Sequence, residues 1–258
     1  MSNIQYEKQG HIAVVTFDRP KQLNALSSEV LDELSNILRE IDIDPEVYVA
    51  IFTGAGRSFI AGADIDEMMN LTERESRRFS KLGNEIFLSL ENLSKPTIAA
   101  INGYALGGGN ELAMCCDIRI ASEKAKFGHL ETTYGIIPGF GGTQRLARLI
   151  GMSKAKELIF TGDVITAADA LEFGLVSYVV PAEELMDKAF SIAEKICSKA
   201  QIAVRQAKRA IEMGMQCDIN TAVICEAEAF ALCFTTEDQK DAMAAFVKKE
   251  PIAPYKNK

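Results

Sequence analysis

Residues 98–146 read IAAINGYALGGGNELAMCCDIRIASEKAKFGHLETTYGIIPGFGGTQRL, and the order of features within them points to an α/β fold. The apolar run at 97–101 has the length and composition of a buried strand. Asn102-Gly103 turns the chain, and Gly107-Gly108-Gly109 opens an apolar helix carrying Glu111, Met114 and Cys115. Three consecutive glycines at a helix start leave the backbone unshielded, so its amide N–H groups can approach a ligand closely. The positive end of the helix dipole lies at the same point and favours partial negative charge. Glu111 falls in the first turn, three residues past Gly108. A carboxyl beside an anion-stabilising backbone suits an acid or base next to an oxyanion hole. Glu131 and a second glycine cluster, Pro138-Gly139-Phe140-Gly141-Gly142, follow closely. Either feature alone is more often structural, since glycines pack tightly and a first-turn glutamate complements the dipole. Together they mark a chemical site.

Outward from this stretch the alternation repeats. Residues 3–17 alternate about Gln9-Gly10 as a hairpin, and 18–26 form a loop. A helix capped at Ser27 or Ser28 follows, with Val30, Leu31, Leu34, Ile37, Leu38 and Ile41 at helical spacing. Residues 47–53 make a strand apolar on both faces. In 54–68, Ala61-Gly62-Ala63-Asp64 joins small residues to an N-cap candidate, which predicts a short helix beginning with exposed amides. A helix over 73–93 stops at Lys95-Pro96. Strand and helix in this order give an α/β layer architecture with parallel pairing. Beyond Gly142 the spacing predicts helices at 143–150 and 153–160, and a short one capped by Thr166 that ends at Gly174. A strand at 175–180 and a helix from Pro181 to about Ser198 follow. From there to Val247 the pattern is helical, broken at Gly214 and Thr235-Thr236. No linker, repeat or low-complexity segment interrupts it, which fits one domain with a C-terminal helical part.

Composition narrows the function. At 258 residues, 48% hydrophobic and 25% charged, the chain can bury a substantial core. A net charge of −8 argues against nucleic acid, whose phosphates need a concentrated basic surface. No apolar run approaches the ~20 residues that span a bilayer. The start, MSNIQYEKQG, lacks the basic and apolar regions of a signal peptide, so a cytoplasmic protein is expected. Six cysteines (115, 116, 197, 217, 225 and 233) form no CxxC pair and read as reduced core residues. With His11 and His129 the only histidines, a histidine-rich metal site is excluded and a Ser-His-Asp triad disfavoured. There is no GK[ST] phosphate loop, and Phe59 stands where Gly54-Ala55-Gly56 would need a third glycine for a dinucleotide fingerprint.

Four segments carry a resemblance: RPKQLNAL (19–26), SFIAGADIDEM (58–68), KPTIAAINGYALGGGNELAMCCDIRIAS (95–122) and GIIPGFGGTQRL (135–146). Their length, order and spacing resemble the enoyl-CoA hydratase/isomerase family, also called the crotonase family, over essentially the whole chain. The runs GMQCDINTA (214–222) and FTTEDQKDAMAAF (234–246) look like its bacterial short-chain members, which act as 3-hydroxybutyryl-CoA dehydratases. The resemblance implies a ClpP/crotonase-like α/β spiral of ββα units over 1–198, with a C-terminal helical trimerisation region at 199–258. It implies homotrimers that often pair into hexamers. It also implies reversible hydration of short-chain trans-2-enoyl-CoA to (3S)-3-hydroxyacyl-CoA. Coenzyme A then enters as part of the substrate, with no separate cofactor, metal, nucleic acid or membrane.

By the same resemblance the amides of Ala63 and Gly108 form the oxyanion hole. Glu111 activates the water, Glu131 exchanges a proton with the α-carbon, and Gly139 helps hold the water. Two such carboxyls in a partly dry site should titrate as a coupled pair. The CoA moiety is expected along Lys21, Gln22, Leu23 and Ala25 and along Ala61, Gly62, Ala63, Asp64 and Ile65. Phe246 and Lys249 are expected to reach the nucleotide of a neighbouring subunit; Lys21 and Lys249 read equally well as solvated lysines. Where hydratases commonly have Gln-Pro-Glu, this chain has His129-Leu130-Glu131, followed by Thr132, Thr133 and Tyr134. These departures bear on acyl specificity. His129 is expected on a solvent-facing strand, with contact to the thioester region the alternative.

Two rival readings remain. Isomerases and hydrolases of the same family keep or lose these carboxyls differently. Some members bind RNA, for which Arg74, Arg77 and Arg78 are candidates, but Glu73 and Glu75 interleave with them as on an ordinary solvated face.

Overall fold

The computed structural model describes residues 2–258. Strands β1 (Ile4–Gln9) and β2 (Ile12–Phe17) form the expected hairpin, and α1 (Ser28–Ile43) begins where the Ser27 hydroxyl accepts from the Val30 amide. β3 (Val49–Gly54) and β4 (Ser58–Ile60) follow, then α2 (Ile65–Met68) and α3 (Glu73–Glu91). The unit recurs as β5 (Thr97–Ile101), β6 (Tyr104–Leu106) and α4 (Gly108–Cys115). It recurs again as β7 (Ile118–Ser122), β8 (Lys126–Gly128), α5 (Gly142–Ile150) and α6 (Met152–Thr161). β9 (Val164–Thr166), α7 (Ala167–Glu172), β10 (Tyr178–Val180) and α8 (Leu185–Cys197) complete the body. Helices α9 (Gln201–Gly214), α10 (Ile219–Cys233) and α11 (Glu237–Lys248) end the chain.

The strands divide between two sheets. The larger runs β1-β2-β3-β5-β7-β10 and is parallel except for the hairpin; the smaller runs β4-β6-β8-β9. Three passes of the chain, β3-β4, β5-β6 and β7-β8, thus each lay one strand in the first sheet, one in the second, and then lead to a helix. Both faces of the larger sheet are covered. Val15, Phe17, Phe52, Ala99 and Ile101 pack toward α1, α3 and α4, while Ile51, Ile98, Ala100 and Ile120 meet Leu185, Ala189 and Ala193 of α8. Double burial is why these strands are apolar without alternation.

Several expectations need correction. The smaller sheet was not legible at residue level, because its strands are three residues each. The strand expected at 175–180 shortens to Tyr178–Val180, since Leu175 and Val176 return their amides to Ala170 and close α7. The helix expected from Pro181 begins as a 3-10 turn, Ala182–Glu184, before α8. Of the six cysteines, Cys115 and Cys116 are buried, whereas Cys217 is exposed and the rest half-buried.

Helices α9 and α10 pack mainly on one another, and buried charge ties α9 to the body. Lys208 of α9 donates to Asp117 Oδ2 at 2.9 Å and to the Lys95 carbonyl at 3.2 Å. No residue of α10 is buried, and Ile219, Ile224, Phe230 and Met215 stand exposed around it. Among the described residues no single helix is long and apolar enough to cross a membrane.

Candidate active site

The three parallel strands of the smaller sheet end on one side, and the site begins where they stop. β4 pairs with β6 and β6 with β8, with Leu106 opposite Gly128. Parallel neighbours lie about 4.8 Å apart, so the segments leaving them stay adjacent. These are 61–64 after β4, 107–111 after β6 and 129–131 after β8.

Loop 61–64 is held from below by loop 23–26. Ala61 N donates to Leu23 O, Leu26 N to Gly62 O and Asp64 N to Leu26 O, at 2.8–3.1 Å. Leu23 and Asn24 both adopt positive φ, a conformation Asn tolerates better than most residues. Asn24 is buried, and its Nδ2 donates to the carbonyls of Ala55, Ser58 and Phe59. It thereby fixes the loop to β4, a role the sequence reading did not assign. An Asn inside a polar loop before a helix was the available signal.

The glycine run brings the second backbone alongside. Gly109 packs on the Ile60 carbonyl so closely that no Cβ could fit. Gly107, at φ +48°, turns the chain into α4. A Cβ at Gly108 would lie 3.5 Å from the Ala63 nitrogen, which places the two loops side by side. Among the described residues, the amides of Ala63, Gly108 and Gly139 donate to no protein acceptor. All three residues line one cavity of about 1050 Å³ that also takes in Glu111 and Glu131.

Glu111 is almost wholly buried. Its Oε1 accepts from the amides of Phe140 at 2.8 Å and Gly142 at 2.7 Å. The second glycine cluster therefore does more than offer Gly139 to the cavity: it clasps the first carboxyl. Gly142 must be glycine for this, because a Cβ there would lie 2.6 Å from His129 Cε1 and 2.9 Å from Glu111 Oε1. Ser80 and Asn84 of α3 hold the Gly139 carbonyl from behind, at 2.6 and 2.7 Å. Burial pushes the Glu111 carboxyl up to about 7, and Glu131 adds to the rise, against the pull of His129 and of the two amides.

Glu131 opens a 3-10 turn, Glu131–Tyr134, and lines the same cavity. Its Oε1 lies 3.4 Å from His129 Nδ1, and a Cβ on Gly107 would meet that oxygen at 3.1 Å. Its Oε2 is buried without a hydrogen-bond partner. The solvent-facing position expected for His129 is overturned, since the ring is 1% exposed and enclosed by the site. Leu130 and Tyr134, two of the departures expected to bear on acyl specificity, stand in the cavity wall, whereas Thr132 and Thr133 do not; Ile136 and Ile137, which the sequence did not point to, join that wall.

Of the residues expected along a CoA chain, Ala61, Gly62, Ala63 and Ile65 line the cavity. Asp64 is beside them but faces Arg19, 3.7 Å away. Lys21 and Gln22 lie on an exposed turn; the Leu23 carbonyl supports loop 61–64, whereas Ala25 bonds within its own segment, its amide to Gln22 O and its carbonyl accepting from Arg19 Nη1. Phe246 and Lys249 are not brought to this cavity within one chain; Phe246 is 78% exposed, and Lys249 ends α11 in the left-handed region. Arg77, in the run considered for RNA, pairs with Glu73 on the surface of α3.

Two free amides facing one cavity can take up charge on a carbonyl oxygen, and two carboxyls beside them can move protons on neighbouring atoms. Such a site defines an enzyme acting next to a polarised carbonyl. Residues 7–257 match the sequence model of the enoyl-CoA hydratase/isomerase family, and the chain belongs to that family. It is 56% identical to a short-chain-enoyl-CoA hydratase of Clostridium acetobutylicum, covering 100% of this chain and 99% of that protein. A crotonyl-CoA hydratase of Syntrophomonas wolfei is 52% identical over 96% of this chain and 95% of its own. The crystal structure of an enoyl-CoA hydratase from Bacillus anthracis superposes with a TM-score of 0.95 at 45% identity, covering both chains fully. The crotonase spiral with C-terminal helices is thus the fold of this chain.

Proposed function

We propose that the chain is an enoyl-CoA hydratase that adds water reversibly, in syn fashion, to short-chain trans-2-enoyl-CoA and yields (3S)-3-hydroxyacyl-CoA. The observation that carries this reading is Glu111 and Glu131 lining one cavity, beside the unpaired amides of Ala63 and Gly108. In hydration the Ala63 and Gly108 amides receive the thioester oxygen as it gains enolate charge. Such a donor contributes about 10²–10³ in rate elsewhere. Glu111, steadied by the Phe140 and Gly142 amides, deprotonates water held with help from the Gly139 amide. Glu131 protonates the α-carbon, and dehydration reverses both transfers. A base poised near 7 suits either direction at neutral pH.

The names of the Clostridium and Syntrophomonas relatives support a short-chain, crotonyl-type substrate. The CoA moiety runs along Lys21, Gln22, Leu23 and Ala25 and along 61–65. Phe246 and Lys249 serve a neighbouring subunit in a trimer or paired trimers, with 1–198 as the catalytic body and 199–258 as the assembling helices. The main rival, double-bond isomerisation, needs no water-activating carboxyl opposite the proton donor. Loss of the conjugated thioester absorbance, followed from C4 to C16 enoyl-CoAs, tests the reading. Fastest turnover with crotonyl-CoA and formation of 3-hydroxybutyryl-CoA are expected. Isomerised product without added water would reject it.

A further inference from the structure

His129 occupies the point where this chain departs from the Gln-Pro-Glu pattern, and its ring borders both carboxyls. Nε2 lies 3.2 Å from Asn110 Nδ2, and Nδ1 lies 3.4 Å from Glu131 Oε1. The Cε1 edge packs on Gly142, against the side of Glu111. Asn110 immediately precedes Glu111 on α4, so one helical turn carries both the amide and the buried carboxyl.

The donor inventory decides what the ring can do. An Asn110 N–H given to Nε2 makes that nitrogen the acceptor and leaves the ring proton on Nδ1, directed at Glu131 Oε1. Asn110 Oδ1 is buried and accepts from no donor, so no second bond fixes which way the amide lies. Turned over, the amide presents Oδ1 to Nε2 and accepts from a ring that carries both protons. The charged groups facing the ring are Glu131, on the turn after β8, and Glu111, on α4. Arg145 of α5 is engaged by Glu91 and the Phe140 carbonyl, and α6 meets this segment through the Ile159 carbonyl, which is uncharged.

We propose that His129 is a positioning residue for Glu131 and a third proton site coupled to the carboxyl pair. Its Nδ1–H holds the Glu131 carboxylate over the cavity, and Asn110 accepts the ring with one proton or with two. A glutamine at this position could donate to Glu131 in the same way but could not titrate. The proposal rests on the hydration reading above.

The test is the pH dependence of kcat and kcat/KM for crotonyl-CoA hydration in the wild-type enzyme and in the His129→Leu and His129→Gln variants. His129→Leu is expected to lower kcat about tenfold or more with little change in KM, as misplacement of a reacting group does. His129→Gln is expected to recover most of that loss at its optimum and to drop one ionisation from the profile. A His129→Gln profile with the same ionisations as wild type overturns the proton-site role, and wild-type kcat in His129→Leu overturns the positioning role. If the leucine variant does not fold, the glutamine profile alone decides. Wild-type protein that fails to hydrate crotonyl-CoA rejects the functional reading first and this proposal with it.

Discussion

Glu111 shows how one residue sets function against stability. A carboxyl moved from 4.5 to about 7 by burial favours the protonated form in the fold. Its contribution is therefore fully retained below about pH 4.5 and is lost as pH rises through about 7. The ionised, folded protein carries a penalty on the order of 3 kcal/mol from this group. Glu111→Gln keeps an oxygen for the Phe140 and Gly142 amides and removes the charge. The variant is expected to be more stable than wild type at pH 8 by about 1–3 kcal/mol, with the gap nearly closed at pH 5. Denaturant unfolding at both pH values, at matched protein concentration, checks this; an equal gap at the two would contradict it. The sequence singled out Glu111 because a first-turn carboxyl, more often structural on its own, occurs together with the glycine triplet, Glu131 and a second glycine cluster. It misplaced His129, since a lone histidine after an apolar strand residue gives no sign of which way its ring turns. Burial of that ring is decided by Gly142 and Asn110, which come from other elements.

At the scale of elements, legibility followed length. Helices α1 and α3 carry five or six buried positions at helical spacing and were readable to within a few residues. Strands β4, β6 and β8 are three residues each, too short to display a period, and hydrogen bonds to strands distant in sequence define them. Yet their C-terminal ends deliver all three segments of the site. The whole second sheet was thus implied only through the family resemblance. Helix α10 poses the opposite case: its sequence is apolar, but the single chain buries none of it. Ile219, Ile224 and Phe230 at 65–72% exposure form a surface that a lone protomer would leave to water. Light scattering at micromolar concentration is expected to give the mass of three or six chains. A monomeric mass would remove the proposed role of Phe246 and Lys249 at a neighbouring nucleotide.

For the molecule as a whole, the two sheets divide the work. The larger one, buried on both faces, supplies the rigid body, and the smaller one ends its parallel strands around a single cavity. Residues 61–63, Gly107-Gly108 and Gly139-Phe140 converge on that cavity from separate parts of the chain, so the stretch 98–146 discloses a site but not the Ala63 side of it. The proposed function has one chemical requirement above the rest: the two carboxyls act as partners. Crotonyl-CoA hydration by Glu111→Gln and Glu131→Gln, each measured beside wild type with KM determined, tests this most directly. Each variant is expected to lose about 10²–10⁴ in kcat, the contribution of a general acid–base group, while binding crotonyl-CoA nearly as wild type does. Turnover within a few fold of wild type in either variant would contradict the account.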